Sequence, residues 1–232
     1  STVQAYPPAA MTGYLTNLTS SGYGIGNYIA SASSEYNPSA NTNLAWQAFD
    51  KNLTFTAANQ WSSSNGLYGS GTPSTYSTGK VYTFDTLGNS YYGEWLQIQL
   101  PVSIILSNYT LVGNNNTNNN PYKFWVLGSC DGINWTLINS QNAITWSTPW
   151  SQTFTTGTSL AFSFYRMVIN QIQNAGGGSG TNPVITEWTL NATVQGITVT
   201  NDGRLGTGVV APTRTLEVAG DLITGGTVYS LS

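Results

Sequence analysis

Histidine is absent from all 232 residues. Its absence removes Ser-His-Asp and Cys-His catalysis and imidazole metal sites together. The single cysteine, Cys130, can form no internal disulfide and cannot supply a thiolate zinc cage. Charge is equally scarce. Six Lys/Arg and nine Asp/Glu make up 6% of the chain, where roughly 25% is ordinary for a soluble domain. Six scattered cations and a net charge of −3 argue against nucleic acid as a partner, because its binding leans on clustered Lys/Arg. No run approaches the ~20 apolar residues of a membrane-spanning helix. No cationic start precedes a hydrophobic run, so no membrane insertion is expected. The start at Ser1-Thr2-Val3-Gln4, without Met, suggests a piece of something longer.

Polarity comes instead from 24 Asn, 25 Ser, 32 Thr and 25 Gly. Apolar residues still make up 40% and aromatics 12%, enough to bury a real core. Six N-x-S/T sequons, at Asn17, Asn52, Asn108, Asn115, Asn134 and Asn191, are what chance gives at this abundance of Asn, Ser and Thr. They carry no argument for glycosylation.

Helical periodicity is nearly absent, and the Thr, Tyr, Val and Gly bias favours strands joined by turns. Trp95-Leu96-Gln97-Ile98-Gln99-Leu100 alternates with period two and ends at Pro101, like a half-buried strand. Asn108–Val112, Lys123–Gly128, Ala161–Ile169 and Val184–Val194 read the same way, with Asp131-Gly132 as a tight turn between two of them. Short strands at this spacing predict an all-β, antiparallel sandwich or barrel. Trp46, Trp61, Trp95, Trp125, Trp135 and Trp188 fall in strand-like patterns and are assigned to the core. Residues 62–93 form a Ser/Gly/Tyr-rich loop, and Asn114–Asn120 has no apolar anchor and reads as a solvated connection. After about Gln195 the texture shifts to short apolar bursts with no aromatic until Tyr229. Such a segment builds no core of its own and needs a partner.

An ordered set of segments resembles the discoidin (coagulation-factor type C) family, with its galactose-binding-like jelly roll. The set begins with Ala32-Ser33-Ser34, Ala45-Trp46-Gln47-Ala48-Phe49-Asp50 and Gln60-Trp61-Ser62-Ser63. Glu94–Leu100, Val126–Gly132 with Trp135, Tyr165-Arg166 and Ile185-Thr186-Glu187-Trp188 complete it. The likeness covers roughly residues 30–194. It departs from many animal members in lacking the cysteines of a terminal disulfide, and in the long loop between Trp61 and Trp95. The tail, Asn201–Gly208 followed by Ala211–Gly220, resembles a repeat near the ends of phage and large-virus tail fibres, where it forms intertwined trimeric β-structure. Tyr6-Pro7-Pro8-Ala9-Ala10 resembles the openings of chains from large DNA viruses. Three regions are therefore expected: an N-terminal extension over 1–29 packing on the head, a discoidin-like sandwich over 30–195, and a trimerising segment over 196–232.

In discoidin-like sugar-binding modules the turn matching Asp50-Lys51-Asn52-Leu53-Thr54, with a late Glu, often holds a structural Ca²⁺. The resemblance implies Asp50 and Thr54 side chains, carbonyls near Asn52, and Glu187 as its ligands. The alternative is a tight turn with Asp50 capping backbone amides. For ligand contact, Tyr, Ser, Gly and Asn dominate the loops as they do in adaptable recognition surfaces. Aromatic faces pack on sugar C–H groups while amides and hydroxyls bond the OH groups. Tyr68, Tyr76, Tyr91, Tyr92, Trp146 and Trp150 are the candidates, with packing of these rings on the sandwich as the other possibility. Five Asp and four Glu form no paired-carboxylate motif, so no catalytic residue is assigned. The expected function is host attachment from a virion surface, through cell-surface glycan bound by a trimeric, non-enzymatic head. A capsid or fibre assembly protein is the alternative, and a polysaccharide-active enzyme the third.

Overall fold

The computed structural model describes residues 3–77, 81–174, 182–193, 197–199, 205–207 and 216–218. β1 (Val3–Tyr6), β2 (Leu15–Leu18) and β3 (Gly26–Ala32) open the fold. A 3-10 turn over Ala45–Phe49 precedes β4 (Trp61–Ser62), β5 (Ser74–Thr75), β6 (Tyr82–Phe84) and β7 (Ser90–Tyr92). The 19-residue β8 (Glu94–Val112) leads to β9 (Pro121–Ser129), β10 (Thr136–Gln141), β11 (Ser151–Thr155) and β12 (Ala161–Ile172). β13 (Val184–Ile185) and β14 (Glu187–Thr193) follow, then β15 (Ile197–Val199), β16 (Leu205–Thr207) and β17 (Leu216–Val218).

β8 organises the sandwich because it belongs to both layers. Its first part pairs β3 and β12, and its last part pairs β11 and β14. The strand does not end at Pro101. A register shift against β12 falls between Phe162 and Phe164, opposite Leu100–Ser103. Proline is tolerated in such a bulge because no ladder bond is asked of its missing N–H. The resulting layers run β2-β3-β8-β12-β9-β10, with β5 on the end of β12, and β1-β14-β8-β11. This is the all-β antiparallel sandwich that the alternating sequence predicts.

Between the layers lie Leu96, Ile98, Tyr165, Met167 and Ile169 from one side and Tyr109, Leu111, Trp188 and Leu190 from the other. The Phe124 and Phe154 rings meet edge to face across the gap, 5.5 Å apart. Each such large side chain taken fully from water stabilises by about 1.5–3 kcal/mol. Trp61, Trp135 and Trp188 are buried, while Trp46, Trp95 and Trp125 are half-buried against the clusters.

Part of the 62–93 segment becomes a roof. The β6–β7 hairpin turns Thr83, Asp85 and Tyr91 inward and Tyr82, Phe84 and Tyr92 outward. Its inner side completes a second cluster with Trp95, Trp125, Leu127, Trp135, Phe164 and Val168. Arg166 lies between the Trp95 and Trp135 rings, 4.1 and 4.2 Å from their centroids. Its guanidinium donates to Gln97 Oε1 at 2.9 and 2.7 Å and to Thr83 Oγ1 at 3.0 Å. Burial lowers its pKa to about 10. Cation–π contact and three hydrogen bonds compensate a charge otherwise costly to bury.

Residues Gln4–Ala192 form one compact unit. The stretch expected as an N-terminal extension is part of it, because β2 and β3 are sheet strands and Tyr6, Met11 and Tyr28 lie in the main core. The second unit comprises Ser1–Val3 with Thr193–Ser232. There β15 pairs antiparallel with β16, and β16 pairs parallel with β17. The rest of the expected trimerising segment lies outside the described residues. Among the described residues, no helix is long and apolar enough to cross a membrane.

Candidate functional site

Segments around residues 36–43, 57–65, 114–119 and 182–184 enclose a cleft of about 300 Å³. Its wall is made mostly of side-chain amides: Asn43, Gln60, Asn65, Asn114, Asn116, Asn119 and Asn182, with Ser62 and Tyr36. The short β4–β13 pair, Val184↔Ser62 and Ile185↔Trp61, brings two of these segments together. The 36–43 segment joins them through the Tyr36 N–H on the Ser62 carbonyl at 2.9 Å, and Tyr36 is 51% exposed.

The asparagine run is not a free connection. Asn120 is fully buried. Its Oδ1 accepts from the Asn114 N–H at 2.6 Å, and its Nδ2 donates to the Asn114 carbonyl at 2.8 Å. A Cβ on Gly113 would lie 2.7 Å from that amide, so only glycine fits there without displacement. Asn114 Oδ1 accepts from the Asn116 N–H at 2.7 Å, and Asn116 Oδ1 from the Asn118 N–H at 3.3 Å. Asparagine closes turns on its own backbone in this way, and here the turns replace the missing apolar anchor. The loop also reaches across the cleft. Asn114 Nδ2 donates to Gln60 Oε1 at 2.7 Å, and Asn119 Nδ2 to the Asn182 carbonyl at 2.8 Å. Asn182 Nδ2 in turn donates to Ser62 Oγ and to the Ser63 carbonyl.

None of the described residues lining this cleft is charged. Amides supply both donors and acceptors, and Tyr36 supplies an exposed ring. This set suits a neutral, hydroxyl-rich ligand and gives an ionic one no counter-charge. It also places no carboxylate where a glycosidic bond would need two.

Four of the six aromatic candidates are corrected by their burial: Tyr68, Tyr76, Tyr91 and Trp146 are each 4–8% exposed. Tyr68 donates to the Ile169 carbonyl at 2.6 Å, packs edge to face on Tyr76, and burial drives its hydroxyl pKa well up. The Tyr76 hydroxyl accepts from the Val81 N–H at 3.1 Å. Tyr91 donates to Asp85 Oδ2 at 2.8 Å and lies edge-on to Trp125. Trp146 Nε1 donates to the Pro121 carbonyl at 2.7 Å. Rings with one polar tip bury well when that tip finds a hydrogen-bond partner, and these four anchor long connections. Trp150 is half-buried against the core, and its carbonyl takes the Gly113 N–H at 2.9 Å behind the asparagine run. Tyr92 is 46% exposed on the hairpin's outer face, its ring 6.0 Å from Tyr82, away from the cleft lining. The six are not gathered into one site. Tyr36 and the amides were missed, although successive Asn at Asx-turn spacing signalled a structured loop.

The expected calcium ligands do come close, but in another arrangement. Asp50 Oδ1 accepts from the Asn52 N–H at 2.8 Å. Asn52 Oδ1 accepts from the Thr54 N–H at 3.1 Å and from Thr54 Oγ1 at 2.8 Å. Glu187, 3% exposed, takes the Lys51 N–H at 3.0 Å and the Lys51 ammonium at 3.3 Å. Burial pushes the Glu187 carboxyl up to about 7, against the downward pull of Lys51. Among the described residues no three His, Cys, Asp or Glu side chains converge on a metal position. Calcium takes six to eight oxygens, and here Asp50 Oδ1 and Asn52 Oδ1 accept from groups of the turn itself while Lys51 holds both Glu187 oxygens. The residues do not fit the ion as arranged.

No protein-family model matches the chain, and no curated protein matches it. Solved structures share its fold. A family 32 carbohydrate-binding module from a family 31 glycoside hydrolase of Clostridium perfringens superposes with a TM-score of 0.50 and 13% identity, over 70% of this chain and 88% of that one. CpGH89CBM32-5 of Clostridium perfringens, solved with GalNAc-β-1,3-galactose, gives 0.47 and 18%, over 70% and 94%. The family 32 module of Streptococcus pneumoniae EndoD gives 0.47 and 10%, over 72% and 96%. By fold, this chain is a discoidin-like β-sandwich similar to family 32 carbohydrate-binding modules.

Proposed function

We propose that the chain is a non-enzymatic attachment module of a viral or phage fibre, exposed on the virion surface, that binds neutral host-surface carbohydrate in the amide-lined cleft. The observation that carries this reading is the lining itself: seven side-chain amides, a serine and an exposed tyrosine around about 300 Å³, with no charge among them. Orientation comes from convergent hydrogen bonds, and affinity from a sugar face on the Tyr36 ring. The fibre setting rests on the resemblance of Asn201–Gly208 and Ala211–Gly220 to tail-fibre repeats. Three heads on one shaft would turn weak single contacts into avid attachment.

One observation favours the second reading, a capsid or fibre assembly protein. Tyr82, Phe84 and Tyr92 stand outward together, with ring centroids 4.9 and 6.0 Å apart, as a contact face for protein would. A glycan array separates the two. Binding of neutral glycans should fall at least tenfold in Tyr36→Ala and survive in Tyr92→Ala. An array that stays blank with the native protein would favour assembly, and binding lost only in Tyr92→Ala would move the sugar site to the hairpin.

A further inference from the structure

We propose that Lys51 takes the place of the calcium ion implied at this turn, so that the fold carries its own counter-charge and folds without the metal. Glu187 begins β14 and is almost wholly buried, and a buried carboxylate needs a cation and hydrogen bonds to be tolerated. Lys51 supplies both from one residue. Its backbone is left-handed, with φ of 61°. In that conformation the Lys51 N–H bonds Glu187 Oε2 at 3.0 Å while its ammonium reaches Oε1 at 3.3 Å. Thr189 Oγ1 adds a longer bond to Oε1 at 3.4 Å. Two of the turn's side-chain oxygens are engaged within it: Asp50 Oδ1 on the Asn52 N–H, and Asn52 Oδ1 on Thr54. A calcium ion at Glu187 would have to displace the ammonium and unmake these turn bonds. The lysine is tethered and strained into place by the fold, so the charge is present whatever the calcium level outside.

The test uses the full chain and thermal melts. The native protein should melt at the same temperature in excess chelator and in calcium, and calorimetric titration with calcium should show no saturable heat. Lys51→Gly keeps the left-handed backbone and removes the whole side chain, ammonium included. It should lower the melting temperature by on the order of 5 °C, in chelator and in a Glu187-dependent way. In a Glu187→Gln background, where no buried charge remains, the same change should have much less effect. A native melt lowered by chelator, a saturable calcium heat, or a Lys51→Gly protein as stable as the native one would each overturn the proposal. If Lys51→Gly does not fold, Lys51→Met compared with and without Glu187→Gln reads the same coupling.

Discussion

Asn120 has no exposed surface, and both ends of its side chain are bonded to the backbone of Asn114. Removing a buried partner of this kind leaves an N–H and a carbonyl unsatisfied, at a cost of about 1–3 kcal/mol. Asn120→Ala should therefore lower the melting temperature and weaken sugar binding together, because Asn114 lines the cleft. Asn115→Ala, at an exposed position of the same run, should do neither. An Asn120→Ala protein with native stability would show that the loop is held by something else. The neighbouring tyrosines carry the opposite lesson. In a Ser/Gly-rich segment a ring reads the same whether it faces water or plugs the sheet, so Tyr68, Tyr76 and Tyr91 resembled ligand contacts. What decides is a partner distant in sequence: the Ile169 carbonyl for Tyr68, Trp125 for Tyr91. No local pattern encodes it.

At the scale of elements, period-two alternation made β8, β9, β12 and β14 legible, because one face of each meets the core. Pro101 misled only about where β8 ends, since a bulge there depends on the register of β12. The β6–β7 hairpin was illegible because its inner face packs on the outside of the sheet rather than in the core. Its turn is organised by Asp85, whose carboxylate accepts from the Asn89 side chain, the Tyr91 hydroxyl and the N–H groups of Asn89 and Leu87. These bonds, that of the Asn89 side chain foremost, hold its pKa down at about 2. An unfolded Asp titrates at about 3.9. The folded value is lower, so this contribution is complete above about pH 4 and is lost as pH falls through about 2. Tryptophan fluorescence from the Trp95–Trp125–Trp135 cluster should shift over that interval, and Asp85→Asn should remove that component. A signal flat through the interval in the native protein would contradict this account of the hairpin.

For the whole molecule, scarcity of charge and abundance of Asn, Ser and Thr are plain in the composition, but not where the amides gather. The cleft is assembled from four segments far apart in sequence, and only the folded sandwich brings them together. The tail tests separately. On the proposed trimer, light scattering should give the mass of three chains, and deletion of residues 196–232 should give monomers. A monomeric full-length chain would refute the trimer. The claim that the amide cleft binds neutral sugar is most directly tested by amide NMR of the full chain titrated with galactose, N-acetylgalactosamine and sialic acid. Saturable shifts of the Gln60, Asn114, Asn119 and Asn182 side-chain amides with a neutral sugar, and none with sialic acid, are the predicted result. Unmoved cleft amides, or shifts confined to the β6–β7 hairpin, would contradict it.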